Sequence, residues 1–383
     1  SKNVSKIVNA NYPIPVKKQN KYNIARWAVT GKDDLWLNTM CHLIQENFTK
    51  CKNQNSDDWR SLCELWSSDL RTHITDTRWK NAKSKLNKLI IKHNINEQLE
   101  THHKSIPNNV SLEDINTMCK EVDVSLINDD ILLHISTKYL ELDLNLRRGS
   151  AIQKLAFLSH GMKPCIGTIQ HGYFESISLG ADYYSGNSII ELPLLRKKVT
   201  DLEVVKPKFI FKNNKIIEIH NEIETEFGVI KKIVTINTDS EKVSLSYDLT
   251  EFKEIYGSVR LGITTLLNDF NNKNTKLICL NGGEGDETFD LCGEFDHTKP
   301  ASTFVSSSRG FGATTGKIQI INKNKSIILQ WKPSECAAMP MLSYKTSDTK
   351  SLSRLFFSLQ EFDDTSKNVK KIKNKFNLDI SAS

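Results

Sequence analysis

The chain has 383 residues, of which 38% are hydrophobic and 25% charged, with a net charge of +7. It is long and apolar enough for two or three cored domains, which excludes a disordered or collagen-like chain. The positive excess is spread over Lys-rich stretches such as KKIKNK, and no basic stripe with interleaved aromatics is evident, so no nucleic-acid partner is expected.

From about residue 22 to about residue 146 the apolar residues recur at helical spacing. In LWLNTMCHLIQENFTKC, Leu35, Leu37, Met40, Cys41, Leu43 and Ile44 fall three and four apart, as an amphipathic helix requires. SDDWRSLCELWSSDL gives a second helix, with Ser56 as N-cap and Trp59, Leu62, Cys63, Trp66 and Leu70 on one face. Trp79 to His93 and Leu112 to Val122 supply two shorter helices, the latter capped by Ser111. THHKSIPNNVS, with Pro and Asn together, reads as a loop.

Beyond Arg148 the pattern turns to alternation and short apolar runs divided by turn residues. KFIFKNNKIIEIHNEI predicts a hairpin around Lys212 to Lys215, and GVIKKIVTINTDSEKVSLSYDL a second around Thr238-Asp239-Ser240. SVRLGITTLL, KLICLNGG, KIQIINKNKSIILQW, MPMLSY and SRLFFSLQEF add further strands. The predicted fold class is α+β, a helical domain over 1–146 followed by a large antiparallel β-sandwich over 147–383.

The eight cysteines lie far apart with no CxxC, which predicts reduced thiols, and neither a metal nor a cofactor is expected. No apolar run approaches the roughly 20 residues of a membrane-spanning helix. The N-terminal SKNVSKIVNANYPIP lacks a signal-peptide core, so a cytoplasmic location without a membrane partner is expected. A start at Ser1 is compatible with a processed product or a fragment of something longer.

Three stretches concentrate polar residues. GTIQHGYFESISLGADYYSG, residues 167–186, sets His171, Glu175 and Asp182 among Tyr183, Tyr184 and four glycines. Carboxylate and imidazole bind sugar hydroxyls while flat rings cover sugar CH faces, so this mixture suits a carbohydrate. NGGEGDETFDLCGEFDHT, residues 281–298, holds Glu284, Asp286, Glu287, Asp290, Glu294, Asp296 and His297. These could furnish an acid/base pair for glycosidic chemistry, whereas the spacing does not follow an EF-hand calcium loop. SSSRGFGATTGK, residues 306–317, lacks the GxxxxGK[ST] order and runs into the strand KIQII, which rejects a nucleotide site but leaves Arg309 as an anion or hydroxyl ligand.

Together ARWAVTGKDDLWLNT, LCELWSSDLRTHIT, LNLRRGSAIQKLAF, GTIQHGYFESISLGADYYSG, SVRLGITTLL and LSRLFFSLQEFDDT resemble the region that follows the catalytic barrel in proteins related to glycoside hydrolase family 57. The resemblance covers most of the chain and implies a galactose-mutarotase-like supersandwich. It also implies a role on α-glucans, with the catalytic carboxylates on a barrel that this chain does not contain. No stretch shows the alternating pattern of such a barrel, so that catalytic pair is carried onto no position.

The resulting expectation is the sugar-binding or accessory part of a polysaccharide glycoside hydrolase or transferase system, partnered by a carbohydrate and by a catalytic barrel on another segment or chain. Expected binding residues are Glu175, Asp182, Tyr183, Tyr184, Asp296, His297 and Arg309. If the chain is itself an enzyme, a hydrolase, lyase or epimerase, then His171, Glu284, Asp286 and Glu287 are the acid/base candidates. A non-catalytic assembly protein with Trp-rich helices as interface is the third alternative.

Overall fold

The computed structural model describes residues 28–29, 31–70, 74–95, 110–169, 184–296, 311–346, 351–362, 370–371 and 375–383. Among these, four α-helices come first: α1 (Asp34–Lys50), α2 (Ser56–Leu65), α3 (Asp76–Lys92) and α4 (Leu112–Met118). Leu37, Cys41, Ile44 and Phe48 of α1 share a core with Leu62 and Leu65 of α2 and Leu86 of α3, separate from the core of the sheets. Asn55, rather than the expected Ser56, caps α2. Its side-chain oxygen accepts from the N–H groups of Asp57 and Asp58 at 2.9 and 3.2 Å, so Ser56 becomes the first helical residue. Ser111 caps α4 as expected, and Asp114 completes a capping box.

Within this helical core His42 stands edge-on to Trp66, with ring centroids 4.9 Å apart. Burial pushes its imidazole down to about 4 from 6.5, against the opposing pull of Glu46 and Gln45. The folded ring therefore stays neutral while the unfolded one takes up a proton below 6.5. Stability is full above that pH and is lost as pH falls from 6.5 towards 4, by about 2 kcal/mol after discounting the ring's partial exposure. Denaturant titrations read by tryptophan emission at pH 7 and pH 4.5 should show this loss, and His42→Phe should remove most of it.

Strands begin at Val122, inside the region whose spacing reads as helical. β1 (Val122–Ile127), β2 (Leu132–Thr137), β3 (Leu140–Asn145), β4 (Ala151–Phe157) and β5 (Pro164–Gly167) form a five-stranded antiparallel sheet in sequence order. The division at 146/147 thus falls between two paired strands, since β3 and β4 pair from Leu140↔Phe157 to Asn145↔Ala151, with a one-residue bulge between Asp143 and Leu144. Alternation is present in β1 to β3, with Val122 and Val124, then Leu133 and Ile135, buried between more exposed neighbours. Each run is only six residues long, and the first begins four residues after α4, so helical spacing masks them. The predicted helix from Leu112 accordingly stops at Met118.

The outer edge of β1 is closed by a side chain. Asn116 of α4 donates its amide to the carbonyl of Val124 and accepts from the N–H of the same residue, both at 2.8 Å. The amide takes the place of a neighbouring strand, which is how an edge is protected from pairing with another chain. Asn116→Ala should cost about 1–2 kcal/mol. Because Leu126 and Ile127 are exposed on the same strand, it should also produce concentration-dependent association in sedimentation velocity.

The remaining strands follow in chain order: β6 (Ile189–Leu192), β7 (Lys197–Thr200), β8 (Lys208–Lys212), β9 (Ile216–Thr225), β10 (Gly228–Asn237), β11 (Lys242–Asp248), β12 (Glu254–Ile255) and β13 (Ser258–Thr265). They continue with β14 (Lys276–Cys279), β15 (Glu287–Asp290), β16 (Glu294–Asp296), β17 (Lys317–Asn322), β18 (Lys325–Gln330), β19 (Met339–Thr346), β20 (Ser351–Gln360), β21 (Lys370–Lys371) and β22 (Lys375–Ala382). Nine of them form one antiparallel sheet in the order β15-β14-β17-β18-β22-β11-β10-β9-β8, six form a second in the order β16-β19-β20-β13-β6-β7, and β12 pairs with β21. The hairpin predicted at Lys212 to Lys215 joins β8 to β9, and Asn213 and Asn214 both take the positive φ that this turn needs.

The two large sheets pack face to face. Phe357 on β20 lies 5.2 Å from Phe376 on β22 and 5.0 Å from Trp331, ring centroid to ring centroid. Inward residues alternate along each strand, for example Ile217 and Ile219 on β9 and Val243, Leu245 and Tyr247 on β11. Helices followed by an antiparallel β-sandwich, the α+β architecture expected from the sequence, is therefore the fold. No helix among the described residues is long and apolar enough to cross a membrane.

Candidate functional site

The hydrogen-bond accounts of the buried ionisable clusters around Glu361, Lys232 and Glu287 separate structural from chemical roles. Glu361, at the end of β20, accepts two bonds from the Arg260 guanidinium, each 2.8 Å long, and others from Ser258 and Ser358 at 3.1 and 2.8 Å. Arg260 also reaches Glu191 at 3.2 Å, and the Glu361 N–H bonds the carbonyl of Val29 at 3.1 Å. A bidentate pair with its remaining lone pairs filled locks β6, β13 and β20 to the chain near α1.

The second cluster is wholly enclosed. Lys232 of β10 and Asp201 beyond β7 are both 0% exposed. The Lys232 Nζ donates to the Gly149 carbonyl at 2.7 Å and to Asp201 at 3.2 Å, while Asp201 also accepts the Ser188 N–H at 2.8 Å. Burial pushes the Lys232 ammonium down from its usual value, and the Asp201 charge opposes that. Burial, with Asp201 adding to it, also drives the Tyr247 phenol well up. Gly149 is required here: its φ is +59°, and a Cβ would lie 1.8 Å from the Asp201 carbonyl oxygen. With no exposed surface, this cluster joins the five-stranded sheet to the sandwich and offers no entry for a ligand.

The third cluster is incomplete. β14 and β15 pair so that Cys279 lies opposite Glu287. Along β15, Glu287 and Phe289 are buried while Thr288 and Asp290 are exposed, so Glu287 points into the sandwich beside Phe289, which meets Phe311 edge-on at 5.0 Å. Glu287 is 7% exposed, and neither of its carboxylate oxygens has a hydrogen-bond partner among the described residues. Two residues beyond Cys279, the Asn281 Oδ1 accepts the N–H groups of Gly312 and Ala313 at 2.7 and 3.1 Å and the Cys279 thiol at 3.5 Å. Those bonds fix the amide orientation and leave its buried Nδ2 without an acceptor. Burial, with the Glu287 charge adding to it, pushes the Cys279 thiol up to about 12, so it stays protonated.

At the same end of this sheet, three strands across, the buried Nε1 of Trp331 also lacks an acceptor. At roughly 4.8 Å per strand the two positions are about 14 Å apart. A carboxylate acceptor, an amide donor and an indole donor thus lie at one end of this sheet, buried and without a hydrogen-bond partner among the described residues. A buried polar group left unmade costs about 1–3 kcal/mol, and an unpaired carboxylate more, so such a set is characteristic of a site that a ligand completes. The turn of Gly282 to Asp286 lies beside it: Gly282 has φ +88°, and the Gly283 Cβ position is 3.7 Å from Glu287 Oε1.

Of the residues singled out from the sequence, Glu287 is in this cluster, whereas Glu284 and Asp286 are exposed in the turn before it. The expected trio of carboxylates is thus divided by the pleat, and only the residue on β15 is carried inward. Asp296 ends β16. Tyr184 packs with Ile169, Leu267 and Leu352, and its hydroxyl accepts from Arg148 Nε at 3.3 Å. His171, Glu175, Asp182, Tyr183, His297 and Arg309 lie outside the described residues. The stretch rejected as a phosphate loop does lead into a strand, β17. Asn281, Cys279 and Trp331 are not among the residues that composition picks out. NGG directly after a strand is the available signal for Asn281, because Asn beside glycines caps turns through its side chain.

No family model matches the chain, and no curated protein matches it. Among solved structures it is similar to a galactose mutarotase-like protein from Clostridium acetobutylicum, at 10% identity and a TM-score of 0.41, over 68% of this chain and 97% of that one. It is also similar to a putative aldose 1-epimerase from Escherichia coli K12, at 13% identity and a TM-score of 0.35, over 66% and 98% of the two chains. A third similarity is to the α-N-acetylgalactosaminidase NagBb from Bifidobacterium bifidum, at 8% identity and a TM-score of 0.42, over 65% of this chain and 36% of that one.

Proposed function

We propose that this protein handles carbohydrate, and that a sugar hydroxyl is the missing partner of Glu287 and Asn281. The observation that carries the reading is the inward-facing Glu287 carboxylate, buried with both oxygens unbonded beside an amide whose Nδ2 is unbonded. Neighbouring hydroxyls of a pyranose are donor and acceptor at once, so one hydroxyl can give its proton to Glu287 while the next accepts from Asn281. The protonated Cys279 thiol, donating to the Asn281 Oδ1, holds the amide in this orientation without adding charge. His171, Glu175, Asp182, Tyr183, Tyr184, Asp296, His297 and Arg309 are proposed as further sugar contacts on the grounds of their composition.

The role that fits is the sugar-binding or accessory part of an α-glucan hydrolase or transferase system. The blocks resembling the region after a family 57-type barrel support it, and a catalytic barrel would then be the partner. An alternative enzymatic reading has one specific support. A buried carboxylate with both oxygens free of partners among the described residues is placed to act on a sugar oxygen as hydrolases and epimerases require, as an acid/base group within hydrogen-bond reach of it.

A glycan panel scored for both binding and product, on the wild-type chain and on Glu287→Gln, separates these. Binding without product, weakened at least tenfold by the amide, supports the accessory role. Product that disappears in Glu287→Gln with binding retained makes Glu287 an acid/base and the chain an enzyme. Sugar binding that Glu287→Gln and Asn281→Ala leave unchanged refutes the site.

A further inference from the structure

A second site, independent of Glu287, lies in the helical part. Between α2 and α3 there is a cavity of about 550 Å³ lined by Ser61, Asn81, Ser84, Lys85, Lys88 and Lys92, with Leu89 and Asp58 in its walls. Its charges do not cancel. Asp58 is 5% exposed and already committed, to Lys92 at 2.7 Å and His93 at 2.9 Å. Lys85 pairs with Glu64 at the rim. Lys88 is exposed and makes no ion pair among the described residues. The helix that carries these lysines, DTRWKNAKSKLNKLIIK, holds one acid against six bases, which biases its whole surface towards anions.

We infer that this groove binds an acidic carbohydrate, a sugar bearing sulfate or carboxylate groups. Lys85, Lys88 and Lys92 stand at i, i+3 and i+7 on one helix face; with Lys85 held by Glu64 and Lys92 by Asp58, Lys88 is the uncompensated charge that meets the anion. Ser61, Ser84 and Asn81 place hydroxyl and amide groups between the charges, which matches an anion that also carries hydroxyls. A nucleic acid is disfavoured because no aromatic ring lines the groove, leaving bases nothing to stack on.

The experiment is calorimetric titration of the full chain, at low salt and again at physiological salt, with a sulfated maltohexaose and with its unsulfated parent. The sulfated sugar should bind to wild type and to Glu287→Gln alike, weaken on raising the salt, and lose at least tenfold in affinity in Lys88→Glu. Lys88 is exposed, so unchanged circular dichroism and melting temperature should certify that variant. Retention of the neutral sugar by Lys88→Glu keeps this site distinct from the one at Glu287. The inference is overturned if the sulfated sugar does not bind at low salt, if Lys88→Glu binds it as wild type does, or if single-stranded oligo(dT) of equal charge binds as tightly.

Discussion

Glu287→Met is expected to make the protein more stable while removing its sugar binding. Methionine has nearly the length of glutamate and no group to desolvate, so it fills the space beside Cys279 and Phe289 without the cost of an unbonded carboxylate. That cost is at least about 1–3 kcal/mol, which in a chain of this size raises the melting temperature by a few degrees or more. Gains of this kind arise where a residue is retained for function against the interest of the fold. A loss of stability of similar size would instead mean that the carboxylate has a structural partner, and the site would lose its main support. Calorimetric melting of wild type, Glu287→Gln and Glu287→Met gives the sign. The glutamine variant should gain less than the methionine variant, because an amide in the same place still lacks partners.

Lys232→Met should act in the opposite direction and with a larger effect. It leaves Asp201 charged, fully buried and held only by the Ser188 N–H, and it takes the donor from the Gly149 carbonyl. Breaking one side of a buried pair costs about 3–5 kcal/mol, most of it the penalty of the charge that remains. Lys232→Met with Asp201→Leu removes both charges and should recover a large share of that loss, since two apolar groups need no compensation. Chemical denaturation of the single and double variants checks this. If the double variant is no more stable than Lys232→Met, the pair is not what joins the five-stranded sheet to the sandwich there.

The contrast between these two clusters explains how much of the molecule is legible in the sequence. Long periodic elements are: α1 and α3 show their apolar stripes, β9 and β10 each show ten-residue alternation, and Asn213 with Asn214 marks the turn from β8 into β9. Short ones are not, which is why helical spacing, carried on from α4, absorbs the six-residue β1 to β3 and places the division at 146/147. In the acidic stretch, composition points to Glu284, Asp286 and Glu287 equally. Only the start of β15 decides that Glu287 faces inward and the others outward, and that start is set by pairing with Cys279 rather than by any local signal. Lys232 lies in GVIKKIVTIN with nothing to mark it, because the partners that make its burial tolerable, Asp201 and Gly149, are 31 and 83 residues away in sequence.

Whether a sugar completes the bonding of Glu287 and Asn281 is tested most directly at the Asn281 side chain. Its Nδ2 protons, assigned by comparison with Asn281→Asp, give a pair of amide resonances in a ¹⁵N spectrum of the labelled protein. Titration with the glycan selected by the binding panel should shift that pair and slow its exchange with solvent, and Glu287→Gln should abolish the response. A glycan that binds, shifts resonances elsewhere and leaves the Asn281 amide where it was would contradict the proposed site.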